Sequence, residues 1–182
     1  MNDNPPPLLH VRTAWPAEAA AIAPLQRRAW VQEWSADEQG LLLAGTDLAS
    51  MVDAWHGAIV QPPEARCRVL VALEGERVVG FAATAPSDDE DAEPTDGMVA
   101  EFAVDPPARG NGHGSRLMNA LIDTLRSDGF RTATWWIRTT DDPLRAFLES
   151  AGWRPDGATQ RFTSDDGSFT IRQVRLRVRI AD

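Results

Sequence analysis

The chain has 182 residues, 27 of them acidic and 18 basic, for a formal net charge of −9, and every basic residue other than three histidines is arginine. The absence of lysine excludes a phosphate loop ending in Lys-Ser/Thr, Schiff-base chemistry and a kinase-type ATP lysine, and the acidic balance argues against nucleic acid as a main partner. Cys67 is the single cysteine, so there is no internal disulfide or cysteine-built metal cage; with no apolar run of ~18 to 20 residues and no signal-peptide pattern in Met1 to Leu9, the expectation is a soluble, cytoplasmic protein with no membrane partner.

Residues 1–7 are polar and proline-rich and are expected to form a flexible tail, with residues 8–182 as one domain. Leu8 to Val11 reads as a first strand. Trp15 to Trp34 has helical apolar spacing, and Pro24 is expected to kink or split that helix. Asp47 to Ile59 reads as a second helix, closed by Gln61-Pro62-Pro63. Cys67 to Leu73 and Arg77 to Ala85, joined by Glu74-Gly75-Glu76, carry a hairpin signal, with Cys67 expected in the core.

Ser87 to Gly97 holds Asp88, Asp89, Glu90, Asp91, Glu93 and Asp96 and no apolar residue larger than alanine, so a solvated loop is expected. Met98 to Val104 reads as a buried strand, Gly114 to Ser127 as an amphipathic helix, Ala133 to Arg138 as a strand and Pro143 to Ser150 as a short helix ended by Gly152. Strands near Gln160 to Thr163 and Phe169 to Ile180 follow, around the turn Ser164-Asp165-Asp166-Gly167. In the last strand Arg175, Arg177 and Arg179 alternate with apolar residues, the pattern of a half-buried strand with a solvated basic face. The order is mixed α/β.

The sharpest chemical signal is Arg109-Gly110-Asn111-Gly112-His113-Gly114, between a strand and an amphipathic helix. Glycines at alternate positions remove the β-carbons that would hold a ligand away from the backbone, and N–H groups at a helix start then converge on an anion, with phosphate or pyrophosphate the expected guest. A dinucleotide fingerprint fits poorly, because the third glycine falls one place early and no acidic residue stands at the expected later position.

The run from Phe102 to Leu117, with its Val-x-Pro-x-x-Arg-Gly-x-Gly-x-Gly core, resembles the acetyl-CoA motif of the GNAT superfamily of N-acyltransferases, and Asp141 to Trp153 resembles the family's later segment. The resemblance implies a twisted mixed sheet whose fourth and fifth strands are parallel and splay apart. It implies that the backbone of Phe102, Ala103 and Val104 pairs with the pantetheine amides of acetyl-CoA. Arg109, Gly110, Asn111, Gly112, His113 and Gly114 would hold the pyrophosphate, and Asp141 stands where an asparagine commonly touches the cofactor. The physical reading agrees, since a strand edge offers alternating N–H and C=O groups to a pseudo-peptide.

The implied reaction is attack of an amine on the thioester. Many relatives protonate the departing thiolate with a tyrosine, where this chain has Leu148; a thiol pKa near 8.5 makes thiolate a tolerable leaving group without a strong acid, and water or a hydroxyl such as Thr140 can supply the proton. Relatives that carry a carboxylate on the fifth or fourth strand do so where this chain has Trp136 or Met98. Glu101 is the remaining strand carboxylate: either a base acting through water, its pKa raised by burial, or an ordinary carboxylate on the other face, since its parity differs from that of Phe102 and Val104. His10 and His56 lack partners at metal spacing, and no metal is expected. Trp30, Trp34, Trp55, Trp135 and Trp136 are expected in the core or lining an acceptor pocket. The acidic loop, with Glu33, Asp37 and Glu38, either solubilises the chain or steers a cationic amine. The expected partners are acetyl-CoA and an amine acceptor, with a homodimer compatible with the chain; a non-catalytic acyl-CoA-binding regulator is the rival reading.

Overall fold

The computed structural model describes residues 9–35, 39, 46–164, 167 and 170–181. The expected tail, Leu8, Asp37, Glu38, Asp165, Asp166 and Phe169 lie outside the described residues. The strands hydrogen-bond in the order β1-β2-β3-β4-β5-β7-β6, where β1 is Leu9–Thr13, β2 Arg68–Glu74, β3 Arg77–Pro86, β4 Asp96–Val104, β5 Thr132–Arg138, β6 Arg154–Thr163 and β7 Thr170–Arg179. The helices are α1 (Ala19–Glu33), α2 (Leu48–Val60), α3 (His113–Ser127) and α4 (Asp142–Ser150). The described residues form two compact units, one drawn from residues 9–83 and 101–121 and the other from residues 84–100 and 122–181.

In the first unit β1 runs antiparallel to β2, from Leu9 opposite Glu74 to Thr13 opposite Leu70. The β2–β3 turn centres on Gly75, whose φ of 63° suits glycine. Ile22, Leu25 and Ala29 of α1 pack on Val69, Val71 and Leu73 of β2, Phe81 of β3 and Ala103 of β4, with Trp55, Ala58 and Ile59 of α2 beside them. The indole of Trp55 meets the Phe81 ring edge-on at 5.0 Å. Pro24 does not split α1, which is one helix from Ala19 to Glu33. The proline costs about 3 kcal/mol through its missing N–H. Complete burial of Ile22 and Leu25 offsets this, at about 1.5 to 3 kcal/mol each. Asp47 caps α2 by accepting from the Ser50 N–H at 2.7 Å. Cys67 is half-buried and precedes β2, so it is not the core residue its β-type run suggested.

In the second unit β4 pairs with β5 in parallel, from Asp96 opposite Thr132 to Met98 opposite Thr134. Gly97 is required there: a β-carbon would stand 2.7 Å from Leu125 Cδ2 and 3.0 Å from the Phe130 ring. β7 lies antiparallel to both β5 and β6, and a register shift falls between Pro155 and Thr159 of β6. Trp135 packs edge-on against the buried Trp153 at 5.8 Å.

Two expectations about charge are corrected in this unit. Arg175 is not solvated but 5% exposed, and it donates to Asp89, Asp91 and Asp156. The acidic segment is likewise not simply solvated, because Asp89 also accepts from the Trp136 indole N–H, and the buried Asp96, already part of β4, pairs with Arg177. The physical reason is mutual: a guanidinium drawn into a sheet needs carboxylates to replace its water, and this segment supplies them.

Candidate functional site

The first unit places a carboxylate, an amide and an indole in one chain of contacts. Glu101 lies on β4 two residues before Ala103, and Ala103 packs against α1, so the two share the face turned to that helix. On α1, Gln26 interrupts a buried apolar stripe and is itself 5% exposed. Its amide oxygen accepts the Trp55 indole N–H at 2.8 Å, and its side chain also hydrogen-bonds Glu101. Because the oxygen is engaged by Trp55, the amide NH2 is the group that faces the carboxylate. Desolvation pushes the Glu101 carboxyl up, the Gln26 bond pulls it down, and the nearby charge of Glu33 pushes it up again, leaving it at about 7.

The glycine loop follows directly. Asp105 is buried at the end of β4, where its N–H donates to the Val79 carbonyl at 2.8 Å and its carboxylate takes two N–H groups of Arg28 at 3.0 and 2.9 Å. This pins the loop's entrance to α1. A 3-10 turn over Pro106–Ala108 leads to Arg109, whose Nε donates to the Val104 carbonyl at 3.1 Å and whose Nη2 pairs with Glu33. Gly110 and Gly112 have φ of 81° and 78°, a conformation that side chains rarely adopt. A β-carbon on Gly112 would sit 2.9 Å from the Arg116 guanidinium, which also donates to the Asn111 carbonyl at 3.1 Å. The helix α3 begins at His113, so the N–H groups of its first turn have no acceptor within the helix and are free to face an anion. His113 is packed inward at 2% exposure, with its Nε2 lacking a hydrogen-bond partner.

The structure thus brings Glu101, Phe102, Ala103, Val104 and the Arg109 to Gly114 loop together in one unit. Asp141 and Leu148 belong to the other, and their roles there are local. Asp141 caps α4 by accepting from the Leu144 N–H at 3.1 Å and pairs with Arg138 at 3.6 Å. Leu148 is fully buried, the core residue of α4, and Trp136 is engaged with Asp89 rather than facing open solvent. Trp55 was expected in the core or lining an acceptor pocket and Glu33 among the solubilising or steering acids, whereas Gln26 and Arg116 were not singled out by sequence; the one available signal for Gln26 was a glutamine inside the apolar stripe of α1. Among the described residues no group of three or more His, Cys, Asp or Glu is arranged to hold a metal ion, and no helix is long and apolar enough to cross a membrane.

A mixed α/β sheet whose fourth strand runs through a diproline into a glycine loop and a helix N-terminus defines an acyltransferase-type scaffold. Residues 20–153 match the family model of the acetyltransferase (GNAT) family, and the chain belongs to that family. No curated protein matches the chain. Among solved structures it is similar to an N-acetyltransferase from Staphylococcus aureus Mu50, with a TM-score of 0.74, 16% identity, and coverage of 95% of this chain and 99% of that one. YncA of Salmonella typhimurium, described as an acetyltransferase and solved with its cofactor acetyl-CoA, gives a TM-score of 0.72 at 18% identity over 96% of this chain and 95% of the other. A ribosomal-protein-alanine N-acetyltransferase from Brucella melitensis gives 0.71 at 21% identity over 93% and 98%. At these identities the likeness shows the fold.

Proposed function

We propose that the protein transfers an acetyl group from acetyl-CoA to a primary amine, of a small molecule or a protein, by direct attack of the amine on the thioester. The observation that carries this reading is the loop geometry: two left-handed glycines open the backbone at a helix start beside Arg109 and Arg116, a cradle suited to a pyrophosphate. In this reading Arg109, Gly110, Asn111, Gly112 and Gly114 hold the pyrophosphate, with His113 packed beneath. The backbone of Phe102, Ala103 and Val104 serves the pantetheine amides as a strand edge. Use of the Val104 carbonyl requires Arg109 to release it, which pairing with a phosphate favours.

Glu101 acts as the base. An amine acceptor is a cation in bulk water and must lose a proton before it attacks; a carboxyl at about 7 is matched to that task near neutral pH, directly or through one water. Glu33, joined to Arg109, places acid beside it. No tyrosine exists to protonate the thiolate, and a thiol pKa near 8.5 allows it to leave as an anion that solvent then protonates. The buried Leu148 and missing tyrosine also favour a second reading, a non-catalytic acyl-CoA-binding regulator. Turnover separates the two: acetyl-CoA offered with a panel of amines releases free thiol only under the first.

A further inference from the structure

In the second unit, an open groove of about 550 Å³ is lined by Arg131, Arg154, Arg177 and Arg179 together with Glu93, Asp96 and Asp156. Four guanidiniums in one groove are unexpected on a chain of net charge −9. The register makes them adjacent: Arg154 of β6 stands directly opposite Arg177 of β7, and Arg179 follows on the same face of β7. Like charges directly opposite one another destabilise a sheet, and the buried Asp96 accounts for Arg177 but not for Arg154 or Arg179.

The carboxylates of the groove do not cancel the charge. Asp96 is committed to Arg177 at 2.8 Å and Asp156 to Arg175 at 2.7 Å. Glu93 remains for three arginines. Among the described residues no carboxylate pairs with Arg131, Arg154 or Arg179. Arg154 donates instead to the carbonyls of Glu149 and Trp153, both at 2.7 Å, and Arg179 to that of Ala181 at 3.1 Å. These bonds orient the guanidiniums and leave other donors of each fork unspent. Thr95 and Thr132 stand in the same lining.

We propose that this groove is an anion-binding site, separate from the glycine loop, for a compact multivalent oxyanion bearing carboxylate or phosphate groups. Planar guanidiniums match both geometries through paired N–H bonds, and the volume suits a small molecule rather than a chloride ion.

The test is calorimetric titration with citrate and with inorganic phosphate, at ionic strength held constant with sodium chloride, on the wild type and on R131Q/R154Q/R179Q. The expected result is saturable binding of at least one probe to the wild type, weakened about tenfold or more in the triple variant. The tighter probe identifies the ligand's chemistry as carboxylate or phosphate. Absence of saturable binding to the wild type overturns the proposal. So does equal binding by the triple variant, which would place the anion elsewhere, for example on the loop at Gly110 to Gly112. Should circular dichroism show the triple variant unfolded, R131Q alone, at an exposed residue before β5, gives the same two readings.

Discussion

The Trp55 indole N–H and the Gln26 amide oxygen lie 2.8 Å apart, and this one bond decides which end of the amide faces Glu101. A core glutamine held this way donates to the carboxylate and favours its charged form, against the desolvation that favours the neutral one. The balance sets Glu101 at about 7.

E101Q is therefore expected to lower turnover by about 100-fold while leaving acetyl-CoA binding intact. In the wild type, kcat should rise with pH through about 7, as the base loses its proton. Stability follows the opposite sign. The folded-state pKa is raised above the unfolded value, so the native state binds the extra proton and loses stability as pH rises through about 7. E101Q should match the wild type in Tm near pH 4 and exceed it at pH 8, as differential scanning fluorimetry would read.

Q26L removes the donor to Glu101 and strands the Trp55 N–H. The midpoint of the pH–rate profile should move above about 7, and unfolding in urea should show a loss of about 1 to 2 kcal/mol. A profile that stays in place would assign Gln26 to packing alone.

The hairpin of β2 and β3, the helix boundaries and the glycine loop were legible in the sequence because each depends on residues close together in the chain. Gly75, Asp47 and Gly110 act on their own neighbours. The clasp at Arg175 was not legible, since it joins residues 86 and 84 positions apart, and nothing local distinguishes an arginine that will be buried from one on a wet face. Gln26 is similar: its polarity marked it as odd within α1, but its partners come from another helix and a distant strand.

R175M should be among the most damaging single changes in the second unit. It leaves Asp89, Asp91 and Asp156 without the cation they share, at a cost of about 3 kcal/mol or more by chemical denaturation. D91N should cost less, because that carboxylate is largely exposed. Arg175 holds the Asp91 carboxyl down at about 2. Its contribution is therefore present above the unfolded carboxylate range and is lost as pH falls toward 2.

L148Y tests whether a tyrosine at this position, matched by resemblance to an acid, can serve the departing thiolate. Leu148 has no exposed surface, so the added ring and hydroxyl overpack α4 and should lower stability by about 1 to 3 kcal/mol. Turnover measured on the folded fraction should not rise; an increase would mean that the phenol reaches the leaving thiolate.

Gly112 offers a test of the loop that spares the core. G112V imposes a branched side chain on a φ of 78° and crowds Arg116. Wild-type protein should bind acetyl-CoA in the micromolar range, about −8 kcal/mol, and G112V should show no binding by calorimetry with its circular dichroism unchanged.

The most direct test offers acetyl-CoA with a panel of small primary amines and peptide N-termini, and follows free-thiol release together with product mass. Thiol release that requires an amine, a product heavier by one acetyl group, and loss of both with E101Q are the expected results. Acetyl-CoA that binds yet releases thiol no faster with any amine than without would contradict acetyl transfer to an amine.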